Sequence, residues 1–180
     1  LSQSFSIIGG FSVFIIILYC SKIFSTTLNS SLGVFLSSII FFNPLIWLMS
    51  NRYMPDLFGL AICTIIFYFL MYSNNSNRKI FGFFLCGILI GIRLSYFPLI
   101  IVLMIYVFLN SKNLIYLGTA FLLGILVWLL PLILHQGWVS IYDAGASHMS
   151  GHFTQYGGTI FTEKNIFIRF KSIFHTLWAD

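Results

Sequence analysis

Long apolar runs, separated by short polar links, fill most of the chain. Within each run the apolar residues are continuous instead of standing at every second position, which favours helices over the strands of a membrane barrel. A hydrocarbon core about 30 Å thick requires roughly 20 apolar residues for a full crossing. The runs that reach or approach this length are 6–24, 32–50, 57–73, 80–92, 96–109 and 114–134. This pattern predicts an all-α fold, a polytopic transmembrane helical bundle of about six spans or half-spans.

The fourth and fifth runs belong to one stretch, 80–109, which is too long for a single untilted crossing. Arg93 and Pro98 interrupt it. Proline lacks a backbone N–H and disfavours helical dihedral angles at the residue before it, here Phe97. We therefore expect two helices with a break between them, and Phe97 is its predicted position.

Two smaller signals concern the shape of individual runs. Asn43 and Pro44 interrupt the upper part of the second run. Gly87 and Gly91 in the fourth run form a small-xxx-small pair, which predicts that another helix approaches closely there.

The chain becomes polar after His135, where Gly, His, Ser and Thr become frequent. Near its end the sequence IFIRFKSIFHTLW places apolar residues among Arg169 and Lys171, a pattern typical of a helix that lies in the membrane interface. The sequence thus predicts two regions, transmembrane helices over 1–135 and a polar outward loop with an interfacial helix over 136–180.

Composition favours a membrane location. Hydrophobic residues make up 59% of the chain and charged residues 7%, with a mean hydropathy of +0.98, whereas soluble domains carry about 25% charged residues. We expect a multi-pass protein of the bacterial inner membrane, in contact with membrane lipids. The chain begins at Leu1 without a basic n-region or a cleavage site, and we interpret it as an internal piece of a longer protein.

The basic residues predict an orientation. The nine Lys and Arg residues form no continuous patch, so nucleic acid is not an expected partner. Short loops rich in Lys and Arg stay cytoplasmic, and Lys22, Arg78, Lys79 and Lys112 outnumber the basic residues of the alternate links. The links NRYMPD and RLSYFP and the segment after His135 are therefore expected to converge at the outer face.

Charged residues in the two outer links are candidates for binding. Arg52 and Asp56 flank one link, and Arg93 lies within an apolar stretch, where a central arginine costs roughly 2.5 to 3.5 kcal/mol. One interpretation is that these residues bind a charged substrate group, since the planar fork of arginine suits phosphate. The alternatives are that Arg52 and Asp56 are solvated or paired with each other, and that Arg93 reaches the headgroups by snorkelling.

The stretch HMSGHFTQYGGT contributes further candidates. His148 and His152 are four residues apart, a spacing that on a helix places both imidazoles on one face. Gly151 disfavours such a helix, and the glutamate of the zinc-protease motif is missing, so no metal site is predicted. Loop structure, substrate contact and acid/base work remain open for the two histidines, and Tyr156 joins them as a candidate substrate contact.

The sequence NPLIWLMSNRYMPDLFGLAICTIIFYFLMY, followed by a basic turn and GFFLCGILIGIRLSYFPLIIVLMIYVF, resembles the middle of membrane glycosyltransferases of the C-type superfamily. This group contains polyprenyl-phosphate-sugar-dependent mannosyltransferases and the lipid A aminoarabinose transferase. The resemblance covers roughly residues 30–135. It implies a multi-helix, inverting transferase that moves a sugar from a polyprenyl-phosphate carrier to an acceptor on the extracytoplasmic face.

The resemblance also implies roles for particular residues. The family's catalytic base is an acidic residue of the first outward loop, often helped by a divalent cation. That loop would precede Leu1, so the catalytic residue is unknown and the fragment alone is expected to be inactive. Asp56 and Arg93 match family positions, whereas His148 and His152 do not carry over from the family. A separate hypothesis comes from the three polar elements expected at one face: Arg93 and Arg52 would hold the carrier phosphate and stabilise the leaving group, and the HMSGHFTQYGGT loop would close over the sugar or acceptor.

Other functions remain open at this point. A membrane transporter or flippase also needs broken helices and intramembrane charge near its substrate path. An O-antigen polymerase-like protein would share a large outward loop. The chain would alternatively be an inactive truncated remnant.

Overall fold

The computed structural model describes residues 2–50, 55–154, 165–168, 170 and 171, and within these residues the protein is all-helical, with no strand. A 3-10 turn at Ile40–Phe42, a π-helical turn at Tyr68–Tyr72 and a 3-10 turn at Leu94–Tyr96 connect or extend the helices. The α-helices are α1 (Ser2–Thr27), α2 (Ser30–Ile39), α3 (Pro44–Ser50), α4 (Asp56–Phe67), α5 (Ser76–Ile92), α6 (Phe97–Leu109), α7 (Leu114–Gln136) and α8 (Trp138–Thr154).

The chain divides into two compact units, Leu1–Leu129 and Leu130–Asp180. The division falls within α7, a continuous helix that contains Pro131. Proline removes one helical N–H and crowds the carbonyl four residues earlier.

The predicted break in the long apolar stretch is confirmed, but a different residue carries it. Arg93 adopts extended dihedral angles (φ −160°, ψ 113°), and α6 starts at Phe97 in a helical conformation (φ −56°, ψ −45°). Pro98 stands in the first turn of α6, where its missing N–H would have no helical partner. The chain therefore bends at Arg93, and the restriction that Pro98 places on Phe97 does not displace the start of the helix.

The interruption at Asn43 is also confirmed. After the 3-10 turn Ile40–Phe42, Asn43 is extended (φ −72°, ψ 119°) and α3 starts at Pro44. The residue before a proline favours extended angles, and proline itself suits the first position of a helix.

The polar loop predicted directly after His135 is wrong for residues 138–154, which form α8. Gly137 ends α7 with a left-handed conformation (φ 77°), and its N–H donates to the Ile133 carbonyl at 2.9 Å. α8 runs through both Gly145 and Gly151, because a glycine within a helix costs only about 1 kcal/mol relative to alanine. Of the predicted interfacial helix, residues 166–168, 170 and 171 are helical, and the rest lies outside the described residues.

In the first unit, α4 joins two apolar clusters. The smaller one packs α4 against α1 through Val13, Ile16, Leu57 and Ala61. The larger one packs it against α5, α6 and α7. Its buried members are Ile62, Ile66, Leu70, Phe83, Cys86, Leu89, Ile100, Val107, Leu117 and Ala120.

Small residues bring α5 and α7 close together, which confirms the prediction for Gly87 and Gly91. A Cβ atom on Gly87 would meet the Phe121 backbone, and one on Gly91 would meet the Trp128 ring. The Trp128 indole N–H donates to the Gly87 carbonyl at 3.0 Å. Close backbone approach of this kind is the usual use of small residues in apolar helix pairs.

Contacts between links define two ends of the first unit. At one end the Tyr96 hydroxyl donates to the Asp56 carbonyl at 2.8 Å, so the start of α4 lies against the link between α5 and α6. At the other end the Asn113 side-chain amide donates to the Ser76 hydroxyl at 3.0 Å, which joins the starts of α5 and α7. We call the first the Arg93 end.

Candidate functional site

An ion pair between Arg93 and Asp56 forms the centre of the Arg93 end. The Arg93 Nη1 atom contacts the Asp56 Oδ1 atom. Asp56 is the first residue of α4, where a carboxylate is favoured by the positive end of the helix dipole. Arg93 comes from the extended residue between α5 and the following 3-10 turn. The break in the long apolar stretch thus places the cation beside the carboxylate.

Tyr96 fixes this arrangement from the other side. Its hydroxyl donates to the Asp56 backbone carbonyl, and its ring covers Gly59 so closely that a Cβ atom there would lie 2.7 Å from Tyr96 Cε2. The first turn of α4 is therefore attached to the α5–α6 link by a hydrogen bond, a ring contact and an ion pair. These contacts hold the two charged side chains in one position.

The two charges differ in exposure. The Arg93 side chain is 46% exposed, whereas that of Asp56 is 20% exposed. A guanidinium carries five N–H donors, and one contact with Asp56 leaves the accessible part able to donate to a second anion. Asp56, in contrast, has its carboxylate directed at Arg93, so it is better placed to position the arginine than to bind a substrate itself.

The other predicted site residues are not among those that the structure describes at the Arg93 end. Arg52 and Tyr156 lie outside the described residues. His148 and His152 lie in α8, in the second unit, and only their backbone is described. Of the predicted set, Asp56 and Arg93 are the two that the described residues bring together, and Asp56 is paired with Arg93.

Tyr96 and Gly59 were missed as members of the site. In the sequence Tyr96 marks only the start of a helix, and Gly59 is an isolated glycine inside an apolar run. The available signal was a polar aromatic residue three positions after an arginine in an apolar run. The contact of Tyr96 with the Asp56 carbonyl joins residues forty positions apart, and no local sequence pattern predicts it.

The residues of this site do not fit the divalent cation that the resemblance implies. Within the described part of the chain no three His, Cys, Asp or Glu side chains group together. At the Arg93 end the single carboxylate is already paired with a guanidinium. A divalent cation prefers several oxygen ligands and is repelled by an adjacent arginine.

A cavity of about 390 Å³ lies along α1. Its described walls are mostly apolar; the lining residues are Ser6, Gly10, Val13, Phe14, Ile17, Phe41 and Ser50. These residues suit an apolar group, and none of them is an acid, a base or a charged side chain. The charged cluster at the Arg93 end is therefore the stronger candidate site.

Comparison of the chain with protein-family models, with curated proteins and with solved structures finds no significant match.

Proposed function

We propose that this chain is part of a multi-pass membrane glycosyltransferase that takes a sugar from a polyprenyl-phosphate carrier, and that Arg93 binds the carrier phosphate. The observation that carries the proposal is the half-exposed Arg93 guanidinium, held by Asp56 at a break between two apolar helices. An arginine fork is suited to phosphate oxygens. The sequence resemblance to C-type glycosyltransferases supports the same assignment.

The surfaces of the helices support membrane placement. Two segments, Ser6–Thr27 and Leu114–Gln136, are long and apolar enough to cross a membrane. Only 22% and 17% of their most apolar windows are buried inside the protein, unlike the core helix of a soluble protein. Large exposed apolar surfaces indicate contact with lipid or a partner. In this proposal the shorter helices α2, α4, α5 and α6 cross the membrane fully or in part with them, in a bundle of about six spans or half-spans.

The Arg93 end fits the chemistry of the leaving group. When an acceptor hydroxyl attacks the anomeric carbon, the bond to the carrier phosphate breaks and the phosphate takes up the electron pair. A guanidinium that is already positioned stabilises this developing charge without having to reorganise. The acceptor proton passes to a base, which the resemblance expects to be an acidic residue of the family's first outward loop. Asp56 takes no part in the proton transfer and keeps Arg93 oriented.

The test measures sugar transfer from a radiolabelled polyprenyl-phosphate sugar by the protein expressed from its native gene and reconstituted in liposomes. Arg93→Ala should lower the rate about 10²- to 10³-fold, the usual effect of losing one charge-stabilising donor. Arg93→Lys should restore only part of it, because an ammonium lacks the planar fork. Lys171→Gln, which removes one positive charge in the second unit, is the control. Full transfer by Arg93→Ala would refute the role of Arg93.

A transporter or flippase is the second candidate, and the broken helices favour it. Charged, non-helical links between apolar helices are typical of transporter binding sites, and Arg93 lies in such a link. The same liposomes distinguish the two functions. Movement of the lipid-linked sugar across the bilayer, without a change in its covalent structure, would replace the transferase by the transporter.

A further inference from the structure

The end of the first unit opposite Arg93 carries a concentration of positive charge. Lys22 comes from α1, Arg78 and Lys79 from the first turn of α5, and Lys112 from the link between α6 and α7. We call these four residues the basic end. The hydrogen bond between Asn113 and Ser76 joins the α5 and α7 links that carry three of these charges.

Lys22 is held by aromatic rings. Its Nζ atom lies 4.7 Å from the centre of the Tyr19 ring and 5.7 Å from that of Tyr68. The two rings meet edge to face at 5.5 Å. Tyr68 belongs to the π-helical turn that follows α4, so this contact places Lys22 at the end where α4 finishes and α5 begins.

Within the part of the chain that the structure describes, no acidic side chain pairs with these four cations. Segments 19–33, 67–80 and 106–118 contain no Asp or Glu. Among the described residues the ion pair is that of Arg93 with Asp56, at the opposite end. Lys22, Arg78 and Lys112 are exposed. Among the described residues, the basic end therefore presents positive charge that no carboxylate partners.

Two of the four cations lie at the N-terminus of a helix, a position that is unfavourable for positive charge. Arg78 and Lys79 lie in the first turn of α5, which has no acidic residue. The helix dipole makes a cation unfavourable at this position and an anion favourable. An external anion beside this turn would relieve the repulsion.

Apolar residues next to the cations indicate which kind of anion fits. Leu109 and Ile115, on either side of the link that contains Lys112, are 78% and 79% exposed. Free phosphate has no apolar part that would contact these two side chains. A phospholipid, in contrast, places its phosphate beside the cations and its acyl chains against Leu109 and Ile115.

We propose that the basic end binds the headgroups of anionic phospholipids. This inference rests on the membrane placement proposed above and is independent of sugar transfer. Juxtamembrane Lys and Arg residues attract anionic headgroups, with a gain of about fivefold in affinity for each cation.

The experiment measures lipid binding by native mass spectrometry, with the full chain in neutral detergent and equal amounts of phosphatidylglycerol and phosphatidylcholine. The test variant is R78Q/K79Q/K112Q, and the matched control is Q136E/S140D/S147D, which lowers the net charge by the same three units at exposed positions of the second unit. The wild type and the control should retain phosphatidylglycerol preferentially. The test variant should lose most of that preference, with about a hundredfold weaker binding if the three effects combine. Circular dichroism confirms that both variants keep their helix content.

Several results would overturn the proposal. The proposal fails if the wild type shows no preference for phosphatidylglycerol, or if the test variant keeps that preference. It also fails if the test variant and the control lose the preference equally, because net charge alone would then explain the binding. Displacement of the lipid by inorganic phosphate at constant ionic strength would indicate a soluble anion site. Sugar transfer is measured separately, so a failure here is distinguishable from failure of the proposed glycosyltransferase function.

Discussion

At the scale of single residues, Arg93 is the most informative position in the chain. An arginine alone in an apolar run is energetically unfavourable. In the structure Arg93 has a carboxylate partner, Asp56, and its side chain is partly exposed. The pairing with Asp56 offsets part of the free-energy cost of placing the Arg93 charge among apolar residues. The exposed part of the guanidinium keeps N–H donors that are accessible to a ligand. Both features result from a single extended residue between two helices.

The Asp56–Arg93 pair should be detectable in a double-mutant cycle. Asp56→Asn and Arg93→Gln should each destabilise the protein, and the double variant should be less destabilised than their sum. A coupling of about 1 kcal/mol is expected for a pair of this exposure. Chemical unfolding in mixed micelles measures the three free energies. Strict additivity would show that the pair does not contribute.

Tyr96 should act through its hydroxyl as well as its ring. Tyr96→Phe removes the hydrogen bond to Asp56 but keeps the ring on Gly59, and we expect a loss of about 0.5 to 1.5 kcal/mol in unfolding free energy. Tyr106→Phe is the matched control on α6, because Tyr106 is 56% exposed. An equal effect of the two substitutions would contradict the assigned role of Tyr96.

At the scale of elements, two devices shape the first unit: breaks in apolar helices and close contacts at glycine. The break at Arg93 turns the chain so that α5 and α6 run in opposite directions beside α4. The glycines of α5 and α7 allow the backbones of these helices to touch, since a Cβ atom on Gly124 would meet the Phe84 carbonyl.

Alanine substitutions should separate contact glycines from open ones. Gly87→Ala and Gly124→Ala place a methyl group against the backbone of the facing helix and should destabilise the protein by about 1 to 3 kcal/mol. Gly118→Ala, also on α7, meets no atom within 4 Å and should be neutral or slightly stabilising. Thermal unfolding of the three variants in detergent measures the difference. Comparable melting temperatures would contradict the close α5–α7 contact.

At the scale of the whole first unit, the charges are separated between two ends. Lys22, Arg78, Lys79 and Lys112 lie at one end, and the Asp56–Arg93 pair lies at the other. Short basic loops remain on the cytoplasmic side of a membrane. The two ends should therefore face opposite compartments.

Site-directed labelling should locate the two ends. In a variant with Cys20, Cys63 and Cys86 replaced by serine, a cysteine at Asn77 should react with an impermeant maleimide in inverted vesicles. A cysteine at Ser95 should react in right-side-out vesicles. Both residues are exposed; Asn77 lies in the first turn of α5, and Ser95 lies just beyond its end. At 1.5 Å per residue, α5 is about 25 Å long. Labelling of both sites from the same side would show that α5 does not cross the membrane.

The sequence alone determined the helical class of the described residues and the breaks near Asn43 and Arg93. These features depend on local chemistry, on continuous apolar runs and on the missing N–H of proline. The loop predicted after His135 was wrong for residues 138–154, because Gly151 did not prevent the helix α8. It also assigned the break to Phe97, because the sequence does not show that Pro98 stands at the start of a helix.

Only the tertiary structure decided which residues meet. Arg93 pairs with Asp56, Tyr96 covers Gly59, and Gly124 approaches α5 at Phe84. These contacts join residues far apart in the chain, and they depend on the direction and rotation of each helix. Apolar periodicity is weak in helices that are apolar on every side, so the sequence carries little information about which face meets which neighbour. The composition of each helix is thus a property of the sequence, whereas the candidate site exists only where packed helices bring their ends together.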